Sequence, residues 1–415
     1  SITATGTVKV DGRTELVAGG SSSDIVFNNI NNDFIGSVSV SNVRDVSLKD
    51  KNSMVLGQQA ISGNLSATAV SGVVSDSAAI NVTGTTEIVA GTNISINAAG
   101  HEFIGAVSMT GANSTLRDGN ALTLGSVDLS GAMTLYAQGT VTGTSVIEVD
   151  LASLVNAGGN DINLGNTQND FVGLLTLEQA KNITIVDKNA LAFSGNASGI
   201  GSDLILTAGG ALELSHGVSS VDDSTLVANG ISFGQSTVGG DLVVNATGGG
   251  GAITQRQQTL DGIQHDSILR ISGASNITAD AITLDHVNAF NGNVLVSSTG
   301  NVNLNAEGAI AFAGATVGGN LIVSSAKSIT QTGALSVTGT TSLNAAAYDA
   351  DITLSHVNND FQEIVTILDS RDLTISDENN HSITGSVARD WTLAVSGALS
   401  VGALEVGDDL TVAAG

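Results

Sequence analysis

The sequence predicts an all-β protein folded as a parallel β-helix, a solenoid in which each coil stacks on the coil before it. Three observations predict this fold: a Phe motif that occurs five times, a second landmark in register with it, and short strand-like segments separated by turn residues. Self-similarity at a fixed period is the signature of repeat architectures, whose units pack mainly on their neighbours. We expect about 18–20 coils of roughly 19–24 residues, with a higher-order repeat of about 70 residues.

The Phe motif reads Asn-Asp-Phe-Ile-Gly in its first copy and recurs at a nearly constant spacing, with one wider gap between the third and fourth copies. Its five phenylalanines are Phe34, Phe103, Phe171, Phe290 and Phe361. We expect each Phe to lie at a corner or at the end of the bore.

The second landmark is an Asp that follows four of the phenylalanines at an almost constant separation. These aspartates are Asp50, Asp118, Asp187 and Asp377, each followed two residues later by Asn. Successive copies are too far apart to share one metal ion, since calcium–oxygen distances are only about 2.3–2.6 Å. We therefore interpret each triplet as a turn in which Asp or Asn bonds its own backbone.

The segments between these landmarks alternate in the way that strands do. Val38-Ser39-Val40 and Ile183-Thr184-Ile185 are examples of β-branched residues at period two, bounded by Gly, Asn, Asp and Ser. A third landmark, Val-Gly-Gly-Asp-Leu and its variants, recurs both at the spacing of the Phe motif and at shorter steps. The shorter steps favour a turn-plus-strand unit, three of which make one repeat.

The repeat suggests one continuous shaft over residues 1–415 rather than separate globular domains. Both ends of the sequence resemble strand segments from the interior of a longer repeat, so we expect the chain to be an interior fragment of a longer protein. The predicted repeat units are roughly 34–102, 103–170, 171–289, 290–360 and 361–415.

The charge of the chain excludes several classes of partner. There are 13 Lys plus Arg against 39 Asp plus Glu, which gives a net charge of −26. Phosphate backbones are bound through basic residues, so we expect no nucleic-acid binding. No apolar run is long enough to span a bilayer, so we expect no insertion into a membrane. The charge keeps the chain soluble by self-repulsion; weak Ca²⁺ binding is the alternative, and we expect no other cofactor. The absence of Cys excludes disulfides and thiolate metal sites.

Catalysis was considered because some parallel β-helices cleave pectin. Ser215-His216-Gly217, Asp222-Asp223 and Gly407-Asp408-Asp409 resemble fragments of polygalacturonase motifs. Glycoside hydrolysis needs paired carboxylates on one face, and His216 is far in sequence from the C-terminal pair. No basic segment for the substrate accompanies the closer pair, and a lyase would need clustered carboxylates with a catalytic Arg or Lys. We therefore expect a protein that is not an enzyme.

The widest gap between phenylalanines contains an unusually polar stretch, which predicts a protruding loop. Its candidate residues are Gln255, Arg256, Gln257, Gln258, Gln264 and His265. Such a loop is either a lengthened corner or a docking site, because loops on rigid scaffolds often carry binding.

The segments 329–341 (Ile-Thr-Gln-Thr-Gly-Ala-Leu-Ser-Val-Thr-Gly-Thr-Thr) and 169–173 (Asn-Asp-Phe-Val-Gly) resemble the repeats of filamentous-haemagglutinin-like exoproteins. These are large bacterial adhesins of two-partner secretion systems, some of them in biofilm matrices. The resemblance covers essentially the whole chain. It implies a right-handed β-helical shaft, exported through an outer-membrane transporter and displayed at the cell surface or released. The family's secretion domain, with its Asn-Pro-Asn-type motifs, has no counterpart here.

These observations together predict a non-catalytic structural adhesin segment, extracellular or on the bacterial surface. Such a rod would promote cell–cell or cell–matrix cohesion by binding exopolysaccharide or other copies of itself. The alternatives are a passive spacer that displays a distal adhesive tip and, less favoured, a carbohydrate-active β-helix such as a lyase or a phage tailspike.

Overall fold

The computed structural model describes residues 1–195, 200–215, 217–248, 250–260, 263–347 and 349–415, and for residues 258–260 and 263 only the backbone. The chain divides into two compact units, Ser1–Gly201 and Ser202–Gly415. Each unit is a parallel β-solenoid, and the chain has about 20 turns in all with a repeat of roughly 70 residues. The predicted fold class is therefore confirmed. The described segments include no helix, and hence none long and apolar enough to cross a membrane.

The strands of the first unit, β1 to β24 in chain order, are Ile2–Thr3, Lys9–Val10, Thr14–Val17, Ile25–Phe27, Asp33–Phe34, Val38–Val43, Val46–Asp50, Met54–Ile61, Leu65–Ala69, Val74–Asp76, Ile80–Val82, Thr86–Ala90, Ile94–Ile96, Glu102–Phe103, Val107–Gly111, Ser114–Asp118, Leu122–Leu129, Met133–Ala137, Val141–Gly143, Ile147–Val149, Ser153–Leu164, Asp170–Phe171, Leu175–Asp187 and Leu191–Gly195.

The strands of the second unit, β25 to β52, are Leu204–Ala208, Ala211–Leu214, Ser219–Ser220, Ser224–Val227, Gly230–Phe233, Ser236–Val238, Leu242–Ala246, Ala252–Gln255, Gln257–Leu260, Ile263–Asp266, Leu269–Ile271, Ser275–Ala279, Ala281–Phe290, Val294–Ser298, Val302–Ala306, Ile310–Val317, Leu321–Ser325, Ile329–Gln331, Leu335–Val337, Thr341–Ala345, Ile352–Leu354, Asp360–Phe361, Val365–Asp369, Leu373–Asp377, His381–Val387, Trp391–Val395, Leu399–Val406 and Leu410–Ala414.

Neighbouring coils pair in parallel and in register. In one stack of the first unit, Val46 lies opposite Leu65, Leu65 opposite Thr86, and Thr86 opposite Val107. Each of these steps along the chain completes one turn. Each coil contributes one strand segment to each of three such stacks, so the solenoid has three sheet faces.

The core is a narrow column of aliphatic side chains inside the coils. In β18, Met133, Leu135 and Ala137 are buried while the intervening Thr134 and Tyr136 are partly exposed. Leu135 lies between Leu116 and Val155 of the adjoining coils. Full burial of such a side chain contributes about 1.5–3 kcal/mol, and this stacking repeats from coil to coil.

One finer expectation, that three units make one repeat, is wrong. Ten strand segments separate Phe34 from Phe103, because β8 bends and contributes to two faces. Ten segments at three per turn are three and one-third turns. The Phe landmark therefore moves to the next face with each repeat: Phe103 ends the stack through Ile61 and Val82, whereas Phe171 ends the stack through Leu129 and Val149.

The second unit follows the same rule. From Phe290 to Phe361 there are again ten segments, with β40 divided between two faces. The spacing of the phenylalanines thus reflects the length of ten strands with their corners, rather than a whole number of coils.

Candidate functional site

The five landmark phenylalanines are all buried, and each ends a stack of strands. Within the described pairing, β14 with Phe103 joins only β11 of the coil below. A parallel ladder that stops inside the fold leaves a backbone N–H without its usual carbonyl partner, and a buried unpaired N–H is costly. The repeat boundary is therefore the place where the fold needs an extra hydrogen-bond acceptor.

The landmark aspartates supply that acceptor. The Phe34 N–H donates to Asp50 Oδ2 at 2.7 Å, and the Phe171 N–H donates to Asp187 Oδ2 at 2.7 Å. The same bond joins Phe103 to Asp118 at 3.4 Å and Phe361 to Asp377 at 3.1 Å. Each Asp also accepts the N–H of the residue two positions later, at 2.7 Å in Asp50, which is the turn bond that the sequence suggested.

A second acceptor at each boundary was missed by the sequence analysis. It lies two residues before each Phe and accepts a backbone N–H from the coil below. The residues are Asn32, His101, Asn169, Asn288 and Asn359, and they accept from Val8, Ile80, Ile147, Leu269 and Leu335 at 2.9–3.0 Å. The sequence signal for this acceptor is the Asn that begins the Phe motif. In the second copy His101 replaces this Asn and accepts the hydrogen bond through Nδ1. We call this residue together with its Asp the boundary clamp.

The fourth clamp lacks its Asp. The Glu307 N–H donates to the Asn288 carbonyl at 2.7 Å, as the Lys51 N–H does to the Asn32 carbonyl at 2.8 Å. This shared bond aligns Ala306 with Asp50. The side chain of Ala306 offers no acceptor to Phe290, so the chain contains its own variant of the clamp.

Burial raises the pKa of Asp50, Asp118 and Asp187. The pKa of Asp118 rises to about 6 because the effect of burial exceeds that of the hydrogen bonds from the Asn120 and Phe103 N–H groups, which lower the pKa. Asp118 differs from Asp50 in geometry, because its Oδ1 accepts both N–H groups and its buried Oδ2 has no hydrogen-bond partner.

The glycine that ends the Phe motif has a packing role. A Cβ at Gly36, Gly105, Gly173 or Gly292 would collide with the backbone of the coil below. The coils thus lie in close contact just after the Phe in these four copies. In the fifth copy Glu363 stands at this position.

The candidate loop is an antiparallel hairpin, whereas the solenoid strands pair in parallel. In it β33, Gln257–Leu260, pairs with β34, Ile263–Asp266, so that Gln258 lies opposite His265 and Gln264 opposite Thr259. Arg256 at its base forms an ion pair with Glu213. The Asp-Gly dipeptide at 261–262 is a hairpin signal that the sequence analysis did not use; these two residues and the side chain of Gln258 lie outside the described part of the structure.

Gln255 belongs to the corner beneath the hairpin rather than to the protrusion. Its Nε2 donates to Asn288 Oδ1 at 2.6 Å and to the Ser267 carbonyl at 2.8 Å. In the next repeat, Gln331 Nε2 donates to Asn359 Oδ1 at 2.8 Å and to the Gly333 carbonyl at 2.7 Å. The same Gln–Asn pair closes both corners.

The two corners share a further backbone hydrogen bond. The Arg256 N–H donates to the Phe233 carbonyl at 2.9 Å, and the Thr332 N–H donates to the Phe312 carbonyl at 2.8 Å. Arg256 therefore matches Thr332, and Ser267 matches Gly333. The segment from Gln257 to Asp266 is an insertion into a corner that closes without it in the next repeat.

The carboxylates considered for catalysis lie at a corner. Asp223 Oδ1 accepts the Asp241 N–H at 2.7 Å, and Asp222 Oδ2 accepts from the Ser202 hydroxyl at 2.8 Å. His216 lies outside the described residues. Among the residues that are described, no group of three or more Asp, Glu, His or Cys side chains is placed to hold a metal ion.

Asp50→Asn should destabilise the fold by about 1–3 kcal/mol at pH 7.5. The two N–H groups bond different oxygens of Asp50, and the amide keeps only one of these acceptors. Asp118→Asn should cost less than about 1 kcal/mol or be stabilising, since one oxygen already accepts both bonds there. Chemical denaturation followed by circular dichroism measures both. Equal costs for the two variants would contradict this account of the clamp.

The stability conferred by Asp118 should depend on pH. Its pKa is about 6 in the fold against an ordinary 3.8, so the folded chain binds this proton more tightly than the unfolded chain. The favourable contribution is full below pH 3.8 and is lost as the pH rises through 6. The advantage of Asp118→Asn over the wild type should therefore shrink between pH 7.5 and pH 5. A difference that does not change with pH would refute the buried-carboxylate explanation.

Deletion of residues 257–266 should leave the free energy of unfolding within about 1 kcal/mol of the wild type, because the corner closes as it does at Gln331. Gln255→Ala should instead cost about 1–2 kcal/mol by removing the bonds to Asn288 and Ser267, and Gln331→Ala is the matched control without a hairpin. Aggregation or unfolding of the deletion variant would show that the hairpin is part of the fold.

Five segments of the chain match one family model: residues 1–41, 43–110, 111–178, 221–297 and 299–368. The fourth segment contains the hairpin and is longer than the others. Neither a curated protein nor a solved structure matches the chain. Since the matched segments make up more than half of its length, the chain belongs to the family described as repeats of unknown function (DUF5649).

Proposed function

We propose that this chain is a non-catalytic structural segment of a large extracellular adhesin, similar to the filamentous-haemagglutinin-like exoproteins. In this proposal an outer-membrane transporter exports it, and it promotes cohesion at the bacterial surface or in the surrounding matrix. Its partners are exopolysaccharide and other copies of itself.

The single observation that carries the proposal is the regular outer surface of the solenoid. Hydroxyl and amide side chains line up in register across successive strands, as Asn305, Ser324 and Asn344 do in β39, β41 and β44. Parallel strands are about 4.8 Å apart, so such a row offers equivalent hydrogen-bonding groups at short, even intervals. Weak contacts repeated along a polymer add up to high avidity.

The boundary clamps support the structural part of the proposal. Their buried Asp, Asn and His side chains bond backbone groups of neighbouring coils, for example Asp187 with Phe171 and Asn169 with Ile147. A role in holding coils together accounts for these polar groups without any chemistry on a substrate. The absence of disulfides from a chain without Cys fits passage through a periplasm in an unfolded form.

Pull-down of the purified chain with a panel of bacterial exopolysaccharides, with and without Ca²⁺, tests the proposal; sedimentation of the chain alone tests self-association. We expect saturable binding to at least one polysaccharide and no release of sugar. Failure of both binding and self-association would favour the passive spacer, and release of oligosaccharides would favour a carbohydrate-active β-helix.

A further inference from the structure

Over six consecutive coils of the second unit, one face carries no charged side chain on the described strands that form it. It is made by β25, β28, β31, β36, β38 and the second half of β40. Two outward rows cross it in register: Ile205, Thr225, Val243, Asn276, Leu295 and Gly314 in one, and Thr207, Val227, Asn245, Thr278, Ser297 and Thr316 in the other. We call these twelve residues the neutral face.

The neutral face is partly apolar. Ile205, Val243 and Leu295 are 41%, 40% and 42% exposed, and they alternate with Thr225 and Asn276 along their row. Six strands spaced at about 4.8 Å extend over roughly 24 Å. The surface thus offers aliphatic patches and hydrogen-bonding groups in alternation, in a chain whose net charge is −26.

Aspartates line one edge of the neutral face. Asp203, Asp223 and Asp241 lie in the corners that lead into its strands, and one oxygen of each accepts an N–H from the next coil, at 3.2, 2.7 and 2.7 Å respectively. All three side chains are exposed. None of them takes part in an ion pair with a described residue. Their remaining oxygens can accept hydrogen bonds from outside.

The hairpin leaves this face open. After β31 the chain passes through β32 and β35 on the other two faces and returns to the neutral face at β36. The hairpin is inserted between β32 and β35. The protrusion therefore arises at the corner between the other two faces.

We propose that the neutral face binds an extended, uncharged polysaccharide; this inference rests on the proposed function and assigns it a surface. The aliphatic side chains of Ile205, Val243 and Leu295 pack against the C–H faces of sugar rings. The Thr, Ser and Asn side chains and the free oxygens of the aspartates take the sugar hydroxyls, and bonds to a carboxylate are the stronger kind. One strand spacing is close to the length that one hexose adds to an extended glycan.

The aspartates at the edge of the neutral face favour a neutral polysaccharide over an anionic polysaccharide or a second copy of the chain. An anionic polysaccharide would be repelled by the three aspartates at the edge. Two copies packed through this face would lie about 10 Å apart, and with their strands in the same direction their two aspartate rows would come together. A neutral glycan is not repelled by the aspartates, and its hydroxyl groups can donate hydrogen bonds to the carboxylate oxygens.

The test is binding of the full chain to soluble mannan, dextran and galactomannan, with polygalacturonate as the anionic comparison. The wild type should bind at least one neutral polymer more tightly than polygalacturonate. Val243→Glu combined with Leu295→Glu should weaken that binding about tenfold or more, because it removes two apolar contacts and adds charge. Val172→Glu, at a position 62% exposed in the first unit, is the matched control and should change binding less than about twofold.

Denaturation midpoints of all variants establish that the fold is intact, and Val243→Ser with Leu295→Ser provides a milder pair that should weaken binding without adding charge. Three results would overturn the assignment of this face while leaving the adhesive role in place. They are binding that survives both double substitutions, an equal loss of binding in Val172→Glu, and tighter binding of polygalacturonate than of the neutral polymers. Self-association without any polysaccharide binding would also overturn the neutral-face proposal alone. Absence of both activities would instead overturn the proposed function.

Discussion

The repeat depends on one constraint: a backbone N–H buried at the end of a strand stack must find an acceptor. In a continuous parallel ladder the next coil supplies a carbonyl. At each Phe the ladder stops, and a carboxylate from the next coil takes the carbonyl's place, as Asp50 does for Phe34. The Asn or His two residues before the Phe does the same for the coil below, as Asn32 does for Val8. The motif residues are therefore determined by hydrogen bonding between coils.

This constraint connects the sequence period to the surface. Because a repeat contains ten strand segments, each interruption falls on the next face, and the stretches between interruptions are free to build regular ladders. The neutral face of the second unit is one such stretch, and its strands pair without a register shift from β25 to β38. Insertions are tolerated at corners closed by their own side chains, as the hairpin at Gln255 illustrates.

Much of the fold could be predicted because it rests on local signals. Alternation in segments such as Val38-Ser39-Val40 indicated the strands, and the spacing of the phenylalanines indicated the repeat. The one-third turn per repeat could not be predicted, because β8 and β40 bend and contribute to two faces without a Gly-Asn corner that marks the change. Only one of the two hydrogen bonds of Asp50 could be predicted from the sequence. Its turn bond to Asn52 is local, whereas its bond to Phe34 joins different coils. The neutral face likewise requires the register, which places Val243 and Leu295 in one row although they are distant in sequence.

Amide hydrogen exchange at the landmark phenylalanines, resolved by NMR, tests the central claim most directly. The account predicts slow exchange for the N–H groups of Phe34 and Phe171, each held by a carboxylate at 2.7 Å. It predicts faster exchange for Phe290, which faces Ala306 in place of an Asp, and slower exchange there after Ala306→Asp. Equal protection of Phe290 and Phe34 in the wild-type chain would contradict the claim that the Asp carboxylate repairs the interrupted ladder.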